Sequence, residues 1–384
     1  MIIDTITIIV CSVLLLLAVA ASLCNPLLRK LAATPTAEEE HDGEDNTTGP
    51  RLSVIMTVHD QARELEEHLS VILSQDYAPG YEVIVVDESS TDDTEDVLNR
   101  MKRNCPHLYT TFIPESSHYL SRRKLALTLG VKAAKNEWLI FTDADCQPES
   151  DQWLKTIAQQ CTADKDLVLG YTRYEDDTPC YWRFERLASQ WRLMRRAVNG
   201  TAYRYNGNNL AVRKSVFMRH NGFLNNLKYL RGEYDFMVNE YAQPGRTAVA
   251  THPDARITQD TPSKRTWTNR HLYFMETQRH LSRSKAYQLP ATLCSALLHV
   301  NYITQACAIG LSIAWEQWIV TGVAATCMII TLAMRTLVAH KAFKATGETI
   351  PAYGVPLMEL RAMWQYLLFR IRYMKADKYD FIRR

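Results

Sequence analysis

Two kinds of hydrophobic pattern alternate along the chain and divide it before any single residue is considered. Residues 5–24 form an uncharged apolar run long enough to cross a bilayer. From Arg51 onwards, short apolar runs alternate with stretches of helical periodicity. Residues 52–58 (LSVIMTV) read as a strand, and 62–75 as a helix with Leu65, Leu69, Ile72 and Leu73 on one face. Residues 81–86 (YEVIVV) predict a second strand, 92–102 a helix, 109–113 a third strand and 122–134 another helix. Trp138-Leu139-Ile140-Phe141-Thr142 has the continuous apolar character of a buried central strand, with a helix expected from about Asp151. This β-α-β-α order predicts an α/β domain with a mostly parallel sheet and right-handed crossovers.

Towards the other end, residues 290–315 and 318–338 read as two further spans, separated by Glu316 and Gln317. His299, Asn301 and Gln305 make the first of them polar for a helix facing lipid. Arg335 is expected to snorkel from the end of the second. Between the first span and the domain, residues 31–50 are rich in Thr, Pro, Gly and acids and read as a solvated linker carrying the formal sequon Asn46-Thr47-Thr48. A cleaved signal peptide is the alternative for the first run, but Met1-Ile2-Ile3-Asp4 lacks a basic start, which favours an anchor. Arg29 and Lys30 after that run, and a tail with many Lys and Arg, predict a cytoplasmic domain and tail. The expected organisation is an anchor (1–30), an acidic linker (31–50), an α/β domain (51–285), a transmembrane hairpin (286–340) and a basic tail with an amphipathic helix (341–384).

Composition narrows this picture only slightly. A net charge of +2 argues against nucleic acid as a partner. The nine cysteines show no C-x-x-C pair, which points to reduced thiols and not to a zinc site. Residues 180–199 mix aromatics with Arg183, Arg186, Arg192, Arg195 and Arg196, a composition that suits either a helix on anionic headgroups or one packed on the sheet.

Candidate chemistry starts at Asp143-Ala144-Asp145, which follows the central strand directly. Carboxylates one residue apart in extended chain point the same way, and their repulsion calls for a cation. Oxygen ligands favour Mg²⁺ or Mn²⁺, which commonly bridge to substrate phosphates. Asp60 and Asp87 also fall just past strand ends, on the edge where open α/β sheets bind ligands.

The stretch SVIMTVHDQARELEEHLSVILSQDYAPGYEVIVVDESSTDDT, followed by FTDADC, resembles the opening half of a GT-A family 2 glycosyltransferase. The resemblance covers roughly residues 51–280, and the three expected spans resemble a membrane-anchored bacterial subgroup. It implies a GT-A (Rossmann-like) cytosolic domain in the inner membrane and a nucleotide-sugar donor, with uridine as the expected base. Asp60 and Asp87 match positions that hold the base, Asp143 the one near the ribose and Asp145 the metal ligand, while Arg123 matches a basic residue beside the nucleotide. Thr57 and Thr128 depart from the family's usual Pro and Asn.

Farther along, Gly207-Asn208-Asn209 resembles the segment that closes over the donor sugar, and Leu230-Arg231-Gly232-Glu233-Tyr234-Asp235 the acidic segment that supplies the base. An acid is usual where Tyr234 stands, so the base is Asp235 first or Glu233 second; the alternative is that Asp235 caps its helix. Glu276-Thr277-Gln278-Arg279-His280 stands where relatives carry Q-x-x-R-W. Arg279 and His280 then serve phosphate or acceptor, or are simply the basic end of a helix. The implied reaction is inverting, metal-dependent hexosyl transfer to an envelope glycan or lipid-linked acceptor. Two rival readings are a catalytically silent, membrane-tethered nucleotide-binding scaffold and a nucleotidyltransferase.

Overall fold

The structure is a computed structural model that describes residues 4–31, 49–114 and 121–381. Most of the expected linker, including its sequon, lies outside these residues. The chain forms two compact units. One comprises Met1–Lys30, Pro179–Ala188 and Arg283–Ile371; the other comprises Leu31–Thr178, Ser189–Ser282 and Arg372–Arg384. The stretches 179–188 and 372–384 thus cross the ranges read from the sequence.

The second unit is the α/β domain. Strands β1 (Leu52–Val58), β2 (Tyr81–Asp87), β3 (Leu108–Phe112) and β4 (Trp138–Phe141) alternate with helices α2 (Ala62–Leu73), α3 (Thr94–Asn104) and α4 (Arg122–Ala133). Each expected element is present, with ends displaced by one or two residues. Beyond them come β5 (Cys146–Pro148), α5 (Trp153–Ala158), β6 (Leu167–Gly170), β7 (Thr172–Tyr174), α6 (Cys180–Val198), β8 (Leu210–Arg213), α7 (Lys214–Arg219), α8 (Glu233–Tyr241), β9 (Thr247–Ala250), β10 (Ile257–Gln259) and α9 (Lys264–Thr277). The seven-stranded sheet has the order β3-β2-β1-β4-β8-β6-β9. Only β8 runs against its neighbours β4 and β6. A smaller sheet, β5-β10-β7, carries the chain just past Asp145.

Alternation along the strands explains the layers. Val54, Met56, Val83, Val85 and Ile140 share one core with Leu65, Leu69 and Ile72 of α2 and Trp153 of α5. Ile55, Ile84, Val86, Leu139 and Phe141 face the opposite core, with Leu127 and Val131 of α4 and Met237 of α8. A side chain at Gly130 of α4 would put its Cβ 2.7 Å from Ile55 Cγ2, so this glycine sets how closely α4 approaches β1. Met194 and Ala197 belong to the same core, so the second half of α6 packs on the sheet.

The first unit is helical: α1 (Thr5–Leu23), α10 (Ser284–Ala314), α11 (Trp318–Thr346) and most of α12 (Val355–Lys375). Helices α1, α10 and α11 are long and apolar enough to cross a membrane. Asp4 caps α1 by accepting from Thr7 N at 2.8 Å. Leu14 of α1 packs with Val320 and Ala324 of α11.

Two readings of these helices are corrected, the helix bounds and the place of Arg335, and the polar character of α10 is accounted for. Helix α10 starts at Ser284 and contains Pro290 within it, and α11 continues to Thr346. Asn301 and Gln305 are fully buried, and Gln305 Nε2 donates to Leu14 O at 3.0 Å, so the polar side of α10, expected to be ill-suited to lipid, faces α1. Arg335 does not snorkel. It is buried, donates to Ala21 O at 2.7 Å and to Glu359 Oε1 at 2.8 Å, and is held by α12 at its other oxygen as well. An acid from the tail helix outcompetes water because the pair is bidentate. Arg183, at the start of α6, similarly donates to Glu348 Oε2 at 3.1 Å in a buried pair.

Candidate active site

The neighbouring strands β2, β1 and β4 end on one edge of the sheet, and Asp87, Asp60 and Asp143 stand at or just past those ends. Asp60 adopts φ +50, a left-handed turn that Asp tolerates. Its Oδ1 accepts from Thr91 N at 2.7 Å, and this bond holds its carboxyl below the ordinary range. Asp87 Oδ1 accepts from Ser90 N at 3.0 Å and Ser90 Oγ at 2.6 Å, and Ser90 Oγ in turn receives Asp60 N at 2.9 Å. The loops after β1 and β2 are thus tied to each other through these two acids.

Asp143 and Asp145 each face an arginine. Arg123, in the first turn of α4, donates to Asp143 Oδ1 at 2.5 Å, and Tyr234 Oη donates to the same oxygen at 3.2 Å. Asp145 Oδ2 accepts from Gln259 Nε2 of β10 at 2.6 Å, and Arg270 Nη2 of α9 lies 3.8 Å away. Among the described residues, the other oxygen receives only the weak donor Cys146 Sγ at 3.3 Å. Burial, reinforced by the charge of Asp143, pushes the Asp145 carboxyl up. Two half-buried acids in one place, one of them with an oxygen whose bonding is weak, suit a hard divalent cation. A second group of possible ligands, Glu67, His68 and Asp260, lies together, but His68 Nε2 is already bonded to Asp260 Oδ1 at 2.8 Å.

The acidic segment opens α8. Lys124 is fully buried, its Nζ bonded to Asn226 O at 2.6 Å and Tyr229 O at 2.7 Å, which fixes the loop leading into the helix; burial lowers its pKa to about 8. Gly232 then takes φ +92 against Thr277, and a Cβ there would come 2.7 Å from Thr277 Oγ1. Among the described residues no side-chain hydrogen bond caps α8 at Gly232, and Asp235 does not act as its cap. Asp235 instead accepts from Arg204 Nη1 at 3.1 Å, and burial raises its pKa. Glu233 is buried, with no partner for Oε1 among the described residues, and its charge reaches Glu88 and Arg123. Glu88 itself is pushed up by burial.

Arg279 and His280 have other partners. His280 Nε2 bonds Glu276 Oε1 at 2.8 Å and stacks on Tyr229 with ring centres 4.4 Å apart, and Arg279 Nη1 meets Tyr373 Oη at 3.3 Å. Among the described residues, none of these partners is bonded to Asp143 or Asp145. The Gly207–Asn209 segment divides its roles: Asn208 Nδ2 reaches Cys146 Sγ at 3.2 Å beside the acid pair, while Asn209 is buried and bonded to Ala255 O at 2.7 Å. Sequence reasoning missed Arg270, Gln259 and Arg204. They sit in ordinary polar stretches and meet the acids only through folding.

Residues 53–221 match the family model described as Glycosyl transferase family 2. This segment belongs to glycosyl transferase family 2. Glycosyltransferase AglE of Haloferax volcanii is 30% identical over 130 residues, which are 33% of this chain and 41% of that protein. TuaG of Bacillus subtilis is 25% identical over 134 residues, 34% of this chain and 50% of that protein. The chain therefore spans half or less of the length of these curated relatives. Among solved structures, mannosyltransferase PcManGT from Pyrobaculum calidifontis, in complex with GDP-Man and Mn²⁺, is 20% identical. That similarity covers 92% of this chain and 99% of that one, with a TM-score of 0.48.

Proposed function

We propose that this family 2 domain transfers a hexosyl group from a nucleotide-sugar donor, with UDP the expected carrier, to an envelope glycan or lipid-linked acceptor, with inversion. The observation that carries the reading is the Asp143–Asp145 pair at the lip of the parallel sheet, with Asp60 and Asp87 on the same edge. Asp60, whose Oδ2 has His59 Nε2 3.6 Å away, and Asp87 meet the donor's base, and Asp143, fixed by Arg123 and Tyr234, stands for the ribose. On Asp145, Mg²⁺ or Mn²⁺ would supply Lewis-acid neutralisation of the departing diphosphate.

The acceptor hydroxyl has to lose its proton as it attacks, from the face of the sugar opposite the leaving group. Glu233 is the better placed base, because one oxygen is free while Asp235 is engaged by Arg204. Asp235 is the second choice. Arg279 and His280 act on the acceptor side. The helices α1, α10 and α11 anchor the domain in the inner membrane, with the domain and tail in the cytoplasm.

A second reading, the silent nucleotide-binding scaffold, is favoured by one observation: both acids of the pair already face an arginine. Product analysis after incubation with Mn²⁺ and a panel of nucleotide sugars separates the possibilities. Nucleoside diphosphate release supports transfer. Pyrophosphate would mark a nucleotidyltransferase, and donor binding without turnover would mark the scaffold.

A further inference from the structure

We propose that Arg270 is a diphosphate-binding residue held on Asp145 until the donor arrives, so that the site takes a divalent cation and a nucleoside diphosphate together and takes the cation poorly alone. This rests on the reading of the site as a nucleotide-sugar site. The two arginines beside the acid pair are held differently. Arg123 is hydrogen-bonded to Asp143 at 2.5 Å and is only 21% exposed. Arg270 is 37% exposed, and its Nη2 stands 3.8 Å from Asp145 Oδ2, beyond hydrogen-bond length. It is attracted to the acid without being bonded to it.

What aims the guanidinium is neutral. Arg270 Nη1 donates to Tyr174 Oη at 2.8 Å and to Gln259 Oε1 at 3.2 Å, and the same Gln259 uses its Nε2 on Asp145. The fork is therefore oriented by groups that do not neutralise it, and Nη2 is left to meet an anion. A planar guanidinium matches two phosphate oxygens at once, a geometry that suits a diphosphate better than one distant carboxylate oxygen.

Charge then decides the order of events. With Asp143 and Asp145 each countered by an arginine, a cation bound alone on Asp145 would stand beside Arg270 with no anion to separate them. When a diphosphate is present, the guanidinium moves its attraction from carboxylate to phosphate, and Asp145 is released to the metal. Such coupling is reciprocal: each ligand strengthens the other by the same factor.

The test uses the full chain purified in detergent. Mn²⁺ binding is followed by the electron paramagnetic resonance of free Mn²⁺, alone and with UDP or GDP, and nucleotide binding is followed by calorimetry with and without Mn²⁺. In the wild type, Mn²⁺ should bind roughly tenfold or more tightly with the diphosphate than alone. In Arg270→Gln, Mn²⁺ alone should bind more tightly than in the wild type, the diphosphate more weakly, and the coupling should shrink. A merely structural role would weaken both ligands. Arg270→Lys should keep part of the coupling, and Tyr174→Phe should weaken the diphosphate while leaving Mn²⁺ alone unchanged; these two serve if Arg270→Gln does not fold. Weaker Mn²⁺ binding in Arg270→Gln, or coupling unchanged from the wild type, overturns the assignment of Arg270 only. A wild type that binds neither diphosphate with Mn²⁺ overturns the sugar-donor reading and this inference together.

Discussion

Tyr234 donates its hydroxyl to Asp143 Oδ1 at 3.2 Å, so the residue between the two candidate bases is fixed to the first acid of the pair. A helix turns about 100° per residue, which sends Glu233 and Asp235 to different sides of α8. Tyr234 thus sets which side each carboxylate takes. Glu233→Gln should lower turnover about a hundredfold or more with donor affinity retained. Asp235→Asn keeps an acceptor for Arg204 and should lose about tenfold or less. Turnover and donor affinity measured on both variants check this; the opposite ranking would return the base to Asp235.

The helical unit should depend on Arg335 and Glu359 as a pair. Both are buried, and removing one leaves an uncompensated charge. Arg335→Met or Glu359→Gln alone should destabilise the protein by about 3–5 kcal/mol, and the double replacement by apolar residues should recover much of the loss. Thermal melts in detergent of the two single variants and the double variant measure this. Additive losses would mean that the two residues act independently.

The His68–Asp260 contact predicts a pH dependence of stability. The hydrogen bond to Asp260 raises the His68 pKa, so folding favours the protonated ring. Its contribution is fully present below the unfolded value of about 6.5 and is lost as pH rises through the higher folded value. The melting temperature of the wild type should therefore fall across that window relative to His68→Asn. Parallel curves for the two proteins would rule out a charged His68.

Most of the sheet was legible because buried parallel strands leave a signature in the order of residues. Val54, Ile55 and Met56 are all apolar because both faces of β1 are covered, and Asp87 and Asp143 mark where strands end. The sequence could not show the partners that arrive from distant segments. Arg270 and Gln259 reach Asp145 only because the small sheet β5-β10-β7 folds back beside it. Arg335 reads as a snorkelling residue when α11 is taken alone, and Glu359 is what retains it inside. The resemblance of residues 230–235 to an acidic segment opening a helix implied Asp235 near the start of α8, but choosing among its alternatives needs Arg204, which no local pattern announces.

The transfer reading stands or falls with Asp145. The deciding measurement is nucleoside diphosphate release from the donor that most raises the melting temperature, with Mn²⁺, compared between wild type and Asp145→Ala. The account predicts a loss of about a hundredfold or more in the variant, with the fold retained by circular dichroism. Equal release from both proteins would contradict it.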